Sequence, residues 1–489
     1  MVKVMKFGGG CGKDGQSLEK VIEIIAADDS RRVITGSAPG ELYGRPKVTD
    51  DLKRLGEKAY NEGTIDDAVL DRVERRFLEI ASHLSVSEDV LDKHLDALHH
   101  SLSVRPDIHK DGELYGADAR IHEARFIDSV MRYGELIQFS ILVQALINNK
   151  IKAQLYLPED AGIVTNSNFG NAKLMAPSYK RITKALTEAL KEKRTKVLIP
   201  GFYGVDKHGS YTTFPRGGSD LTGSILARAV GADLYENFTH VDGVKRIDPN
   251  IFPPEERGLI EVIRQMNFDE MEQLGYTGSG VLLFDAVLPL VGRDENDLGI
   301  KLQIRNFSKL DDEGTLIHGN GKGIYKGITG ISRENCYVIS VKKRGIRDVG
   351  GYGATLLRAV SRAGISYKYS FDAINEFTVV LAESEKERIG ALEDSIKRSR
   401  KLSPDNVEVY HWGIIGVVAE GMSYQKGISK DLISFLSGEN INILRLNQGS
   451  ERCILFFVDK KDVDAGAKLL YQKSIAEHQR LPPERYNLQ

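Results

Sequence analysis

Cysteine is nearly absent from this chain: Cys11, Cys336 and Cys453 are the three found among 489 residues. They lie far apart and form no CxxC or Cys/His spacing, which excludes a thiolate zinc site and leaves three reduced thiols, as expected of a cytoplasmic protein. Net charge is lacking too, with 67 basic against 69 acidic side chains, so nothing points to nucleic acid or another polyelectrolyte partner. No apolar run approaches the roughly 20 residues of a membrane span, and the apolar start MVKVMKF is too short for a signal peptide. A single hydrophobic core stops growing at about 250 to 300 residues, so a soluble multidomain protein is expected.

What is present begins with a β-loop-α-β rhythm. VKVMKF, a glycine turn, the amphipathic SLEKVIEIIAAD and then RRVITGSAPG follow in the first 40 residues, as in a unit that feeds a parallel sheet. From about 50 to 149 the periodicity is helical, with Phe126, Val130, Tyr133, Ile137 and Ile141 at three- and four-residue steps, which predicts helices packed on that sheet. Strand-like KAQLYL, KVLIPGFYG, ADLYENFTHV and KLQIRNF resume the α/β pattern, and DDEGTLIHGNGKG is the boundary. Beyond it the order strand, helix, strand, strand, helix occurs twice, starting at YVISVKKRG and at WGIIGVVAEG.

Two motifs carry chemistry. VMKFGGGCG puts Lys6 at a strand end and glycines at a turn into a helix, where backbone N–H groups can approach phosphate oxygens. It lacks the GxxxxGK[ST] spacing of a Walker A loop, and a glycine turn alone is equally well a tight turn. TTFPRGGSDLTGSILARAVGAD is more specific: Arg216 leads into Gly217 and Gly218, Ser219 is placed to cap a helix, and Asp220 sits at its electropositive start. An arginine beside exposed backbone donors suits a carboxylate or a phosphate.

VMKFGG, RYGELIQFSI, TNSNFGNA, FPRGGSDLTGSILARAVGAD, THVDGVKRIDPN and EGTLI occur in the order seen in aspartokinases. With the paired C-terminal repeats, the chain resembles that family over nearly its whole length. The resemblance implies an α/β fold: an amino-acid-kinase-like open, mostly parallel sheet flanked by helices, followed by two ferredoxin-like (βαββαβ) ACT domains. The expected boundaries are a catalytic domain over 1–310, a linker over 311–323, and ACT domains over 324–405 and 406–489. The implied reaction is transfer of the γ-phosphoryl group of ATP, with Mg²⁺, to the side-chain carboxylate of aspartate. Because that carboxylate is already an anion, alignment and charge neutralisation suffice without a general base.

By resemblance, Lys6, Asp220 and Arg216 are catalytic. Ser37, Thr49, Glu135, Phe169, Arg216 and Ser219 bind the amino acid, with Glu135 on its ammonium and Arg216 on its α-carboxylate. Lys6, Gly8, Gly9, Thr239, Lys245 and Asp248 face the nucleotide, and no protein metal cluster is expected. Without the family, Glu135 reads as an ordinary solvated helix carboxylate. The ACT pair implies an amino-acid effector, lysine or threonine, with feedback control of the aspartate-derived pathway, and a homodimer or homotetramer.

The sequence departs from the family at several points. KFGGTS becomes KFGGGC, placing Gly10 and Cys11 where two hydroxyls are usual, and Cys11 reads as a reactive thiol or as a small filler. On the nucleotide side His240, Lys245 and Asn250 replace the family's aspartate, tyrosine and arginine, and Gly280 stands for a lysine. Lys245 is either a substitute cation or an exposed turn residue. Three outcomes therefore stay open: an aspartate kinase with an altered nucleotide pocket, a kinase of another small acid, or a non-catalytic amino-acid sensor.

Overall fold

The computed structural model describes residues 1–104, 115–116, 118–278, 284–292, 297, 299–319 and 327–478. The chain divides into two compact units: Met1–Val244 with Val262–Phe268 and Val281–Asn320, and Lys245–Glu261 with Asp269–Gly280 and Gly321–Gln489.

The first unit is built on an eight-stranded sheet in the order β3-β4-β2-β1-β7-β9-β10-β8. Its strands are β1 (Lys3–Phe7), β2 (Arg31–Gly36), β3 (Ala153–Leu155), β4 (Lys196–Pro200), β7 (Leu234–Thr239), β8 (Gln265–Met266), β9 (Leu302–Asn306) and β10 (Thr315–Ile317). Only the β9–β10 pair is antiparallel. The central strands are buried on both faces, β1 as Val4 and Met5 at 0% exposure, and even their polar residues Lys6, Thr35, Glu236 and Asn237 are buried, as in a parallel sheet covered by helices. The helix Gly15–Ala26 starts where Asp14 accepts a hydrogen bond from the Ser17 N–H at 2.8 Å, satisfying one of the free amides of its first turn.

The expected helical region consists of Val48–Glu62, Asp67–His83, Asp89–Ser103, Ala119–Met131 and Tyr133–Asn148. Their apolar faces form one core with Phe7, Ile34, Leu198 and Phe238 of the sheet. The periodic set Phe126, Val130, Tyr133, Ile137 and Ile141 is buried as expected, but on two helices that break at Arg132. The span Ala119–Asn148 is apolar enough to cross a membrane, yet 72% of its most apolar window is buried inside the protein, as for a core helix. A hairpin of β5 (Tyr203–Val205) and β6 (Tyr211–Thr213) forms a separate small sheet.

In the second unit the two repeats share one sheet. Its strands are β11 (Gly330–Lys342), β12 (Tyr367–Asp372), β13 (Glu376–Ala382), β14 (Asn406–Val418), β15 (Ile443–Ser450) and β16 (Cys453–Asp459), in the order β12-β13-β11-β14-β16-β15. Strands β11 and β14 pair along their full lengths, Gly330 with Val418 through Lys342 with Asn406. Only the second half of each meets its own repeat: Cys336–Lys342 pairs with β13, and Trp412–Val418 pairs with β16. The first half of each long strand thus serves as the fourth strand of the other repeat. This exchange turns a βαββα sequence into a βαββαβ fold.

Candidate active site

A cleft of about 860 Å³ opens at the carboxyl ends of β1, β2, β4 and β7, all within the first unit. Open parallel sheets place ligands at this edge, because loops leave the strands there and helix amino termini face it. Lys6 and Thr239 lie in the last residues of β1 and β7, and Gly8 and Ser37 follow directly on β1 and β2. The Gly8 N–H donates to the Phe238 carbonyl at 3.0 Å and the Ser37 N–H to the Phe7 carbonyl at 3.1 Å, so the sheet ladder itself fixes the loop starts.

The glycine loop meets a second loop at close quarters. The Gly40 N–H donates to the Gly9 carbonyl at 2.9 Å. A Cβ on Gly40 would stand 2.7 Å from the Gly9 carbonyl carbon, which backbone cannot give way to, so glycine is required. Arg76, 3% exposed, reaches in to donate to the Gly40 carbonyl at 2.9 Å. Two loops that border the cleft are thereby locked together from behind.

Lys6 Nζ lies 2.7 Å from Asp220 Oδ1, and Asn237 Nδ2 donates to that same oxygen at 2.7 Å. Lys6 and Asn237 are register partners on β1 and β7, so adjacent strands aim two donors at one carboxylate. Asp220 lies in the first turn of the helix Gly218–Val230, where the helix dipole favours negative charge. The expected cap is corrected here: Gly217, at φ 82°, is the N-cap, and Ser219 lies inside the first turn. Gly217 takes a left-handed conformation that a side chain would strain, and this bend turns the chain from Arg216 into the helix. Arg216 is exposed on the cleft and has no hydrogen bond or ion pair among the described residues.

Glu135 is not a solvated carboxylate. It is 1% exposed, its Oε1 accepts the Ala38 N–H at 3.0 Å, and its Oε2 has no hydrogen-bond partner among the described residues. Burial pushes its carboxyl up to about 8, against a smaller lowering by the Ala38 N–H. A buried acid with one bare oxygen in a cleft is suited to receive a cation.

The cleft thus brings together Gly8, Gly9, Ser37, Thr49, Glu135, Arg216, Ser219, Asp220 and Thr239 of the expected site residues, and Lys6 reaches it through Asp220. Phe169 is not among the lining residues: it is buried and packs edge-on against Tyr115 with ring centres 5.3 Å apart. Lys245 and Asp248 are not gathered with this set either. Both belong to the second unit, where Lys245 Nζ donates to the Ile260 carbonyl at 2.8 Å and Asp248 pairs with Arg333 at 3.2 Å. Gly280 lies outside the described residues. Cys11 is a filler: it is fully buried, its thiol donates to the Phe238 carbonyl at 3.4 Å, and burial raises it to about 12. Sequence reasoning missed Lys13 and Lys47, two further cations on the cleft. Lys47 immediately precedes the helix Val48–Glu62, and its one legible signal was a proline-flanked helix start.

Residues 1–306 match the model of the amino acid kinase family, and residues 415–473 match an ACT domain. The chain is 30% identical to aspartokinase 3 of Bacillus subtilis over 483 residues, 97% of this chain and 99% of the relative. Against the aspartokinase of Corynebacterium glutamicum it is 28% identical over 377 residues, 74% of this chain and 84% of the relative. Its fold is similar to that of the aspartate kinase of Clostridium acetobutylicum, with a TM-score of 0.80, 28% identity, and 97% of this chain and 100% of that one covered. Aspartokinase III of E. coli, solved with aspartate and ADP, shares the fold at a TM-score of 0.74 and 20% identity, covering 97% of this chain and 100% of that one.

Proposed function

Since the chain belongs to the aspartokinases of the amino acid kinase family, we propose that it phosphorylates the side-chain carboxylate of L-aspartate with ATP, giving 4-phospho-L-aspartate. The observation that carries this reading is one cleft holding two sets of groups. Lys6, the glycine loop and the helix start offer positive potential for phosphates, while Glu135 and Arg216 offer opposite charges for an ammonium and an α-carboxylate. Bringing two anions together is the main obstacle in phosphoryl transfer to a carboxylate, and fixed cations with backbone donors lower it.

In this reading Lys6 neutralises charge on the transferring phosphoryl group, and the Gly8 and Gly9 N–H groups orient it. Asp220 restrains Lys6 so that its ammonium is presented in one geometry. Arg216 forks onto the α-carboxylate, Glu135 takes the ammonium, and Ser37, Thr49 and Ser219 border the bound amino acid. Thr239 stands on the nucleotide side.

Magnesium fits this donor set. Lys6 and Asn237 both engage Oδ1 of Asp220, and Oδ2 has no hydrogen bond among the described residues, leaving a hard oxygen ligand. The described residues hold no group of three metal-ligating side chains, so the ion would bind mainly through nucleotide phosphates. Bound there, magnesium supplies neutralisation of phosphate charge. The paired repeats, 324–405 and 406–489, are proposed to bind an amino-acid effector, lysine or threonine, and to join subunits into a dimer or tetramer.

Trapping the product with hydroxylamine tests the proposal. Aspartyl hydroxamate should form with Mg-ATP and aspartate, and no hydroxamate from aspartate with either ATP or GTP would refute it. A hydroxamate formed faster from another small acid would favour a kinase of different substrate.

A further inference from the structure

Asp128 lies on the helix Ala119–Met131, outside the set of residues that border the cleft, and is 1% exposed. Both of its carboxyl oxygens are engaged. Oδ2 accepts the Thr213 N–H at 2.7 Å and the Gly170 N–H at 2.8 Å, and Oδ1 accepts the Thr213 hydroxyl at 2.7 Å. A buried carboxylate taking three donors is costly to place and rigid once placed, because each donor would be left unsatisfied without it.

The positions of these partners in the chain matter. Thr213 ends β6, three residues before Arg216, and the intervening Phe214 is 1% exposed with its N–H on the Phe202 carbonyl at 2.8 Å. On the other side, the helix bearing Asp128 continues past the break at Arg132 into the helix that carries Glu135. Met131 of the first helix and Glu135 of the second both border the cleft. The strand leading to the cationic hook and the helix pair leading to the anionic hook are therefore joined at one buried carboxylate.

We propose that Asp128 is a positioning residue that sets the span between Glu135 and Arg216, and so governs how well an α-amino acid is held by its ammonium and carboxylate together. The inference rests on the proposed roles of those two side chains. Bidentate recognition of this kind is sensitive to displacements of about 1 Å, so loosening the joint weakens amino-acid capture more than nucleotide capture.

The test is steady-state kinetics of the full chain with Asp128→Asn and, as a milder lesion that keeps the carboxylate, Thr213→Val. Asp128→Asn should raise KM for aspartate at least about 10-fold while KM for ATP stays within about 2-fold, and Thr213→Val should move the same way by about 3-fold. Repeated in an Arg216→Ala background, both substitutions should have little further effect on kcat/KM for aspartate, because they act through that arginine. Equal rises in both KM values, or the same loss with and without Arg216, would overturn the positioning role. If Arg216→Ala alone leaves KM for aspartate unchanged, the substrate reading itself fails, which is a separate result.

Discussion

At Glu135 burial and charge oppose each other. Burial pushes its carboxyl up to about 8, so near neutral pH it is mostly protonated, while the ammonium of an amino acid bound beside it would favour the carboxylate. Aspartate binding at pH 7 should therefore release close to one proton, measurable by calorimetry in buffers of different ionisation enthalpy. Glu135→Gln should abolish the release. The sign for stability follows from the raised value: the contribution of this group is fully present below the ordinary carboxyl range near 4.5 and is lost as pH rises through about 8. The wild-type melting temperature should thus fall more steeply than that of Glu135→Gln between pH 5 and pH 8. Lys6→Ala should lower kcat by about 10²- to 10³-fold if phosphate charge is its task, and an unchanged kcat would discard that role. Glu135 also marks where residue-level reading stops. A charged residue on a helix is ordinarily solvated, and only the fold reveals that this one points into a cleft.

Elements connect these residues, and here the sequence was most legible. The strands VMKF, VITG, KVLIP and ENFT and the helix after Arg216 are where periodicity and glycine placement put them, because local pattern and burial agree. What stayed hidden depends on contacts distant in sequence. The carboxylate of Glu236 on β7, 1% exposed, takes Arg31 of β2 at 2.8 Å and Arg305 of β9 at 3.2 Å. No motif announces this pin across the central strands. Glu236→Gln should cost about 3 kcal/mol or more, since two guanidinium groups lose their buried counter-charge, and chemical denaturation would measure it. The Gly9–Gly40 contact is equally invisible in sequence. Gly40→Ala, which would force a Cβ onto the Gly9 backbone, should reduce kcat/KM for ATP far more than it reduces the melting temperature.

Over the whole molecule, each repeat of the second unit borrows a strand from the other. The repeats were legible as βαββα units, but the long β11–β14 pairing that merges them was not, because strand exchange leaves no local signature. The sole tryptophan, Trp412, sits on β14 opposite Cys336 of β11 and should report both repeats unfolding as one. Leu356→Ala in the first repeat and Leu436→Ala in the second, both fully buried, should each shift its single fluorescence transition by about 2 to 5 kcal/mol. Two separate transitions would show that the repeats are independent. An effector bound to this pair and a substrate in the cleft must alter each other's affinity by the same factor if they are coupled at all. In the proposed reaction Glu135 and Arg216 take the amino acid, while Lys6 and the glycine loop take the phosphates of the same cleft. Calorimetric titration of aspartate and of Mg-ADP into wild type and Arg216→Ala tests this division most directly. Arg216→Ala should weaken aspartate at least about 30-fold, the equivalent of about 2 kcal/mol, and leave the nucleotide within about 2-fold. Undiminished aspartate binding in the variant would contradict it.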